Sequence, residues 1–155
     1  PNFFAGLTNN FTLGNFNLSI FMNAVKGFKI YNNTANALFL KGSLRNGRNV
    51  TREAGNSVEN PFNPGSVSTR FLEKGDFIRL SNVNLSYAFN MKNSKVVKML
   101  SLFVSGQNLA LFTKYSGIDP EVNVDKSISG VPSRGFDYTN YPRPRIVSMG
   151  VNVGF

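Results

Sequence analysis

The chain has 155 residues and a formal net charge of +9, from 17 Lys and Arg against 8 Asp and Glu. It has no cysteine and no histidine, which excludes disulfides and thiolate metal sites and removes the commonest general base and metal ligand. These absences predict a protein that is not an enzyme, with no catalytic residues, no metal and no cofactor.

The placement of the charges argues against a nucleic-acid partner, although the net charge alone favours one. A nucleic-acid-binding domain more often carries Lys and Arg along one face of its regular elements. Here the segments with regular periodicity exclude charge, and the uncharged stretches are residues 1–25, 80–91, 99–113 and 146–155. We therefore predict no nucleic-acid binding. No run of eighteen apolar residues occurs, so no transmembrane helix is predicted either.

Two alternating segments at the start of the chain predict a β-hairpin. Residues 3–12 and 16–25 alternate apolar and polar side chains with a period of two, which is the period of a strand. The apolar positions are Phe3, Ala5, Leu7 and Phe11 in the first segment and Phe16, Leu18, Ile20, Met22 and Ala24 in the second. About three residues, "LGN", lie between them and predict the turn.

Two further strands are predicted over residues 77–89 and 100–112. In the first of them the apolar parity changes, from Ile78 and Leu80 to Val83, Leu85, Tyr87 and Phe89. A slip of one residue moves every following side chain to the other face, so we predict a β-bulge near Ser81–Asn82. Residues 100–112 alternate less regularly. The turn between the two strands contains Lys92, Lys95 and Lys98, which we expect to be solvated.

The last ten residues predict a fifth strand, residues 146–155. One parity is apolar throughout and consists of Val147, Met149, Val151, Val153 and Phe155. The other parity is mostly small or polar. Ten residues suffice to cross a membrane as a strand, with one face toward lipid and the other toward water. A half-buried strand of a soluble sandwich has the same alternation, so this strand alone does not decide between the two.

The lengths of the connections favour the membrane alternative. They run short, long, short, long, with some fifty residues before the third strand and some thirty before the fifth. Compact soluble domains rarely have structureless connections longer than about 12–15 residues. Outer-membrane barrels have short periplasmic turns and long extracellular loops. This pattern predicts extracellular long loops, a periplasmic C-terminus, and a water-filled interior facing Asn17, Ser19, Asn84, Ser86, Ser148 and Asn152.

Five strands do not close a membrane barrel, since the smallest have eight. The chain begins "PNFFAGL", without an initiator methionine. We therefore expect residues 1–155 to be the C-terminal segment of a longer barrel, all-β and antiparallel, with no second domain in its loops. The alternative is a secreted β-sandwich, either an adhesin or a carbohydrate-binding module. That alternative accounts for the alternation, but less well for the connection lengths and the terminal phenylalanine.

Three motifs resemble the SusC/RagA family of TonB-dependent outer-membrane transporters. The stretch "STRFLEKGDFIRLSNVNLSYAF" is similar to a late barrel strand of that family, through Arg70, Phe71, Leu72, Glu73, Gly75, Asp76, Phe77, Ile78, Arg79, Leu80, Asn82, Val83, Leu85 and Tyr87. The stretch "LFVSGQNLALFTKYSGIDPEV" resembles the next strand and loop, through Gln107, Asn108, Leu109, Phe112, Thr113, Tyr115, Gly117, Asp119, Pro120 and Glu121. The end "YPRPRIVSMGVNVGF" resembles the family's end, through Tyr141, Pro142, Arg145, Gly150, Val153 and Phe155.

The resemblance implies a barrel of about 22 strands with a plugged lumen in the outer membrane of a Gram-negative bacterium. It also implies uptake of an oligosaccharide or a peptide, powered through TonB, beside a SusD-like surface lipoprotein. The plug and the TonB-binding segment would lie upstream. Four residues near the end resemble the signal that the barrel-assembly machinery reads in such proteins: Ser148, Gly150, Val153 and Phe155.

Candidate solute contacts lie in the long loops, at Tyr115, Asp119, Glu121 and Tyr138. For the two acids, a turn set by Asp-Pro is the simpler interpretation. Aromatic residues near the strand ends predict belts at the two membrane interfaces. The outer group is Phe71, Phe77, Phe112, Tyr115, Tyr138 and Tyr141, and the inner group is Phe16, Tyr87 and Phe89. Ordinary packing is an equal alternative for each of these aromatic residues.

Overall fold

A computed structural model describes residues 1–61, 66–92, 96–122 and 135–155. Within these residues the fold is mostly β. The strands are β1 (Phe3–Leu13), β2 (Phe16–Lys26), β3 (Lys29–Asn32), β4 (Leu72–Lys74), β5 (Phe77–Phe89), β6 (Met99–Thr113), β7 (Phe136–Asp137) and β8 (Ile146–Gly154). The helices are α1 (Asn33–Leu38) and α2 (Arg52–Asn56), with short 3-10 segments at Lys41–Asn46 and Thr69–Phe71. None of the described helices is long and apolar enough to cross a membrane.

The chain divides into two compact units. We call the first the strand unit; it comprises residues 1–26, 77–113 and 143–155. The second, the connection unit, comprises residues 27–76 and 114–142. The connection unit is therefore built from the two long connections that the sequence predicts as loops.

The strand unit is one antiparallel five-stranded sheet in the order β1-β2-β5-β6-β8. Its strands coincide with the five predicted ones to within one or two residues, which confirms those predictions. The first hairpin loop has two residues rather than three, because Leu13 already pairs with Phe16. Gly14 has φ +56°, as the first central position of a type II′ turn requires. Of the predicted turn lysines, Lys95 lies outside the described residues.

The pairing register sorts the side chains of the five strands onto two chemically different faces. Directly paired residues of antiparallel strands point to the same side of a sheet. One row across all five strands reads Phe11, Leu18, Leu85, Val104 and Met149. The next row reads Asn10, Ser19, Asn84, Ser105 and Ser148. We call these sides the apolar face and the polar face.

A bulge at Ser81 keeps the two faces continuous, as the parity change predicts. The pairing of β5 passes from Leu80 directly to Asn82 against β6, and the pairing of β2 shifts at the same level. On β6 the irregularity includes Asn108, whose φ is +53°. Its side chain accepts a hydrogen bond from the Arg79 guanidinium and donates one of 2.9 Å to the Arg143 carbonyl. Asn108 therefore joins the bulge to the segment that leads into β8.

The connection unit contains a second, three-stranded sheet in the order β4-β3-β7, in which β3 and β7 are parallel. Its buried apolar cluster is Ile30, Tyr115 and Val122, with Phe28 packed against them. Gly75 lies directly under the Phe28 ring, since a Cβ there would stand 2.4 Å from a ring carbon. A glycine is thus required where β4 ends.

The prediction that the long connections contain no second compact unit is wrong. Strands of two to four residues and helices of five or six are too short to show a period, so sequence alternation does not reveal them. Side-chain caps stabilise the two helices. The Asn32 side chain accepts from the amide of Ala35 at 2.9 Å, and the Thr51 hydroxyl accepts from the amide of Ala54 at 3.2 Å. The fold is consequently mostly β rather than all-β.

Candidate functional site

The apolar face is a broad exposed hydrophobic surface. Large apolar side chains from all five strands are exposed on it: Leu7, Phe11, Leu13, Phe16, Ile78, Leu85, Phe89, Leu102, Val104, Phe112, Val147, Met149, Val151 and Val153. Soluble monomers rarely expose contiguous apolar patches larger than a few hundred Å², and larger ones mark contact with a membrane or a partner. Apart from Lys26 at the end of β2, the strand residues on this face carry no charge, which points to lipid, since lipid tolerates charged side chains poorly.

Aromatic side chains mark the hairpin end of the apolar face. Phe16 and Tyr87 lie with ring centroids 4.6 Å apart, and Tyr87 and Phe89 lie 4.9 Å apart. Phe112 is exposed near the opposite end, paired with Ile78. The strand between these ends spans about 28 Å. At a tilt of about 40° that length corresponds to a height of about 22 Å, close to the apolar band of an outer-membrane barrel.

Three residues of the predicted outer belt are packing residues instead. Phe71, Phe77 and Tyr115 are buried, which supports the packing alternative for each of them. Phe71 lies edge-on to Phe39 in the connection unit, with ring centroids 5.6 Å apart. Phe77 lies on the polar face at the start of β5, where it pairs with Val25.

The polar face carries a shallow cavity of about 630 Å³, with no charged side chain in its lining. Five of the six predicted interior positions line it, namely Asn17, Ser19, Asn84, Ser86 and Asn152, and Ser148 lies outside the lining in the same row as Ser19 and Asn84. The Phe103 ring lies over Gly150, where a Cβ would stand 2.6 Å from a ring atom. The face offers amide and hydroxyl groups, which bind water or an uncharged polar solute.

The four residues of the predicted assembly signal do not form one cluster. Ser148 and Gly150 lie on the polar face and Val153 lies on the apolar face. Phe155 follows the last residue of β8 and is exposed. The contact with Phe103 explains why residue 150 is a glycine. Among the described residues, no comparable contact within the sheet explains why residue 155 is a phenylalanine.

The four predicted solute contacts all belong to the connection unit. Tyr115 is buried, and its hydroxyl donates a 2.5 Å hydrogen bond to Asp137. The Asp119 carboxylate accepts from the backbone amide of Glu121 at 2.8 Å, as a turn set by Asp-Pro predicts, and Asp119 itself is buried rather than solvated. Tyr138 remains partly exposed.

A hydrogen-bonded network around Glu73 holds the connection unit together. The buried Asn32 amide donates to Glu73 Oε1 at 2.9 Å, and the Ser116 hydroxyl donates to the same oxygen at 2.7 Å. The Ser116 backbone amide donates to Oε2 at 2.8 Å. Burial acts to raise the pKa of Glu73, but the hydrogen bonds from Ser116 and Asn32 outweigh it and hold that pKa below its usual value.

Asp137 supplies another carboxylate, which is buried and accepts from the Tyr115 hydroxyl and from the Thr34 hydroxyl, the latter at 3.2 Å. Burial and the neighbouring carboxylate raise the pKa of Tyr115, so its hydroxyl remains a donor. The sequence pattern singled out neither Asn32 nor Asp137, because the hydrogen-bond partners of each residue lie far from it along the chain. Over the residues that the structure describes, no group of three or more acidic side chains is placed to hold a metal ion.

These observations define a class of protein: the strand unit is built as a section of an outer-membrane barrel wall. No family model matches the chain. The chain is 31% identical over 166 residues to the TonB-dependent receptor P3 of Formosa agariphila, covering 100% of this chain and 16% of the receptor. It is 26% identical over 161 residues to the TonB-dependent receptor SusC of Bacteroides thetaiotaomicron, covering 97% of this chain and 15% of SusC.

Solved structures show the same fold. A structure of the RagAB peptide transporter matches with a TM-score of 0.68 at 21% identity, over 91% of this chain and 16% of the solved chain. The RagAB peptide importer in its open-open state matches with a TM-score of 0.71 at 18% identity, over 98% and 17%.

The chain is homologous to part of the SusC/RagA-family TonB-dependent receptors, and it spans about 16% of their length. This confirms the resemblance that the three motifs predicted. The homology places the chain in the outer membrane of a Gram-negative bacterium. It agrees with the prediction that the chain is not an enzyme, and it does not favour a secreted β-sandwich.

Proposed function

We propose that the protein takes up a nutrient across the outer membrane in a TonB-dependent manner. The observation that carries this proposal is the register of the strand unit, which gives five neighbouring strands one polar face and one apolar face with no charge except Lys26 at the end of β2. A lipid-facing and a water-facing side of a single sheet are what a transport barrel needs. The solute passes along the polar face, and no bond is made or broken.

In this proposal further strands complete the barrel. The described sheet ends in β1 on one side and β8 on the other. Unpaired backbone groups at such edges cost several kcal/mol each in lipid, so only a closed barrel is viable there. We expect a barrel of about 22 strands with a plug in its lumen.

The long connections face the outside of the cell in this proposal, and the C-terminus lies on the periplasmic side. Both long connections leave the sheet from the same end, after β2 and after β6, and the hairpin turns lie at the other end. A SusD-like lipoprotein would contact the extracellular side, and TonB would act from the periplasm. The solute is an oligosaccharide or a peptide, as the family resemblance implies, and one similar solved structure is of a peptide transporter.

Co-purification from the native membrane tests this proposal. Outer membranes would be solubilised in detergent, and the protein captured with an antibody against residues 114–122, with the masses of all captured chains determined. We expect a chain several times longer than 155 residues together with a surface lipoprotein. A chain of this length alone, recovered in the soluble fraction, would contradict the proposal.

Phe155 is expected to matter for assembly more than an equally exposed residue of β8, the strand that precedes it. Phe155→Ala should lower the amount of folded receptor in the outer membrane, because it removes the terminal aromatic of the predicted assembly signal. Met149→Ala is the matched control, since Met149 and Phe155 are 82% and 78% exposed. Heat-modifiable mobility on gels measures the folded fraction. Phe155→Tyr should restore it, and equal losses in Phe155→Ala and Met149→Ala would remove the special role of Phe155.

A further inference from the structure

The turn between β5 and β6, residues 90–98, combines lysines with an exposed apolar side chain. Its lysines are Lys92, Lys95 and Lys98. Lys92 and Lys98 are exposed, and Val96 between them is 68% exposed. A turn surrounded by water accounts for the lysines but not for the exposed valine. Lysine beside exposed aliphatic groups suits a membrane interface, where the stem of the lysine lies on apolar groups and its ammonium stays among polar ones.

Lys98 lies directly beyond the apolar face. Its backbone amide donates a 2.8 Å hydrogen bond to the Gly154 carbonyl, so it continues the pairing of β6 with β8 by one residue. Two residues further along β6, Leu100 pairs with Phe89 on one side and with Val153 on the other. Phe89 and Val153 are exposed on the apolar face. Because residues two apart in a strand share a face, Lys98 belongs to the end of that same apolar surface.

No acidic side chain of the strand unit can neutralise these lysines. The strand unit contains no Asp or Glu at all, and the sequence alone establishes this for the whole turn. All 8 acidic residues belong to the connection unit, whose segments join the sheet at the end opposite the turn. A terminal carboxylate at Phe155 would offset one of the three lysine charges. The turn therefore has a surplus of positive charge that an anion from outside the strand unit complements.

We propose that Lys92 and Lys98 bind the headgroup phosphate of an anionic phospholipid at the membrane surface on the side of the hairpin turns. The two ammonium groups donate hydrogen bonds to phosphate oxygens, and the acyl chains pack on the apolar face beside Phe89 and Val153. A phospholipid matches both the cations and the apolar surface that continues from them. An acidic protein matches the cations alone, so it is the less favoured occupant. The proposal rests on the barrel proposed above and adds a lipid contact to its hairpin end.

A fluorescent reporter in the turn tests the proposal on the complete receptor in phosphatidylcholine vesicles at low ionic strength. Val96→Cys is labelled with bimane, and receptor without this substitution, treated in the same way, gives the background. The vesicles contain a small fraction of nitroxide-labelled phosphatidylglycerol, which is anionic, or of equally labelled phosphatidylcholine, which has no net charge. Nitroxides quench bimane at short range, so the ratio of the two quenching curves gives the local preference for the anionic lipid.

We expect the reporter to show a preference for phosphatidylglycerol of roughly tenfold, since each Lys near an anionic surface contributes about fivefold. Replacing Lys92 and Lys98 together by Gln should bring the preference close to one, and replacing both by Arg should retain it. Equal quenching by the two lipids in the receptor with both lysines would overturn the proposal and leave an acidic protein as the occupant. A preference that survives the Gln pair would overturn it as well.

Lys29→Gln combined with Lys74→Gln is the matched control, because it removes the same charge from two exposed lysines of the connection unit. It should leave the preference at position 96 unchanged. An equal loss in this control and in the Gln pair of the turn would mean that net charge matters and that the turn is no site. Salt gives the same test without substitution, since it screens exposed charges. A preference that does not fall as the salt concentration rises would contradict the proposal.

The outcome is distinguishable from a failure of the uptake proposal. Each variant receptor would first be checked for heat-modifiable folding in the outer membrane and for co-purification of the lipoprotein. If both are retained while the two lipids quench the reporter equally, the lipid site is wrong and the uptake function stands. If the wild-type protein is not an outer-membrane protein, the uptake proposal itself fails.

Discussion

Val104→Arg is expected to abolish assembly of the receptor, whereas Ser105→Arg, one residue further along β6, is expected to be tolerated. Val104 lies on the apolar face between Leu85 and Met149. Ser105 lies on the polar face between Asn84 and Ser148. An Arg facing lipid at mid-depth costs about 2–4 kcal/mol, while an Arg facing water in the lumen keeps its hydration. The two variants add the same side chain to the same strand, so they differ only in the face it enters.

The measurement is the folded fraction in outer membranes, by heat-modifiable mobility, together with the total amount of each variant. Val104→Arg should be degraded or remain unfolded, and Ser105→Arg should fold at close to the wild-type level. Equal tolerance of both variants would show that the apolar face does not meet lipid. Equal failure of both variants would show that this part of β6 tolerates no large side chain. Val104→Leu, which adds size without charge, would then separate the effect of size from that of charge.

The same comparison near the hairpin end should give a smaller difference. Val151 pairs with Leu102 on the apolar face, in the row that contains Tyr87, and Asn152 pairs with Ser101 on the polar face. The cost of an Arg falls to about 0–1 kcal/mol near the membrane interfaces. Val151→Arg should therefore reduce assembly less than Val104→Arg does, and Asn152→Arg should have little effect. This gradient would place the aromatic end of the sheet at an interface.

Much of the strand unit was predictable because a strand between lipid and water is specified residue by residue. Four of the five strands alternate regularly, Lys26 and Arg79 are the only charged residues in the five strands, and the parity change at Ser81 identified a bulge that the pairing contains. The irregular alternation of residues 100–112 has its cause in the same place, since Asn108 adopts a left-handed conformation opposite the bulge. A local rule accounts for each of these features, so the local sequence reveals them.

The connection unit was not predictable, because its contacts join residues far apart in sequence. Glu73 is bonded to Asn32 at a separation of 41 residues and to Ser116 at a separation of 43. Tyr115 and Asp137 are 22 residues apart. No local periodicity marks such partners. In the sequence, a polar residue in a long connection looks the same as a polar residue of a solvated loop. The motif containing Glu73 was recognised from its family resemblance, but its structural role became evident only from these hydrogen bonds.

The buried aromatic residues show a related limit of sequence reasoning. Phe77 and Phe112 lie at strand ends, Phe71 directly precedes β4, and the three residues are chemically identical. Only Phe112 is exposed on the apolar face, whereas Phe71 and Phe77 are buried. An aromatic near a strand end suits a membrane interface and a packed loop equally well. Which of the two it occupies depends on the neighbours that the fold brings to it.

Glu73→Ala is expected to destabilise the connection unit by about 2–3 kcal/mol, because it leaves the buried Asn32 amide without its carboxylate acceptor. It also removes both bonds from Ser116, which fix the start of the second long connection to β4. Glu73→Gln keeps one acceptor oxygen and should cost less. Glu59→Ala is the matched control, since the 2.7 Å ion pair between Glu59 and Arg70 is exposed, is screened by solvent and contributes little to stability.

Amide hydrogen exchange of the receptor in detergent measures this effect, read on peptides covering residues 27–61 and 114–122. Glu73→Ala should lose protection there while the strand unit keeps it, and Glu59→Ala should match the wild type. The pH dependence gives an independent signature. The pKa of Glu73 is lowered in the folded state. Its charge therefore contributes fully to stability above the ordinary pKa of 4.5, and this contribution is lost as the pH falls through the lowered pKa of the folded state. The extra protection of the wild type over Glu73→Gln should therefore shrink below that pH. A difference in protection that stays constant with pH would mean that the charge of Glu73 does not stabilise this unit.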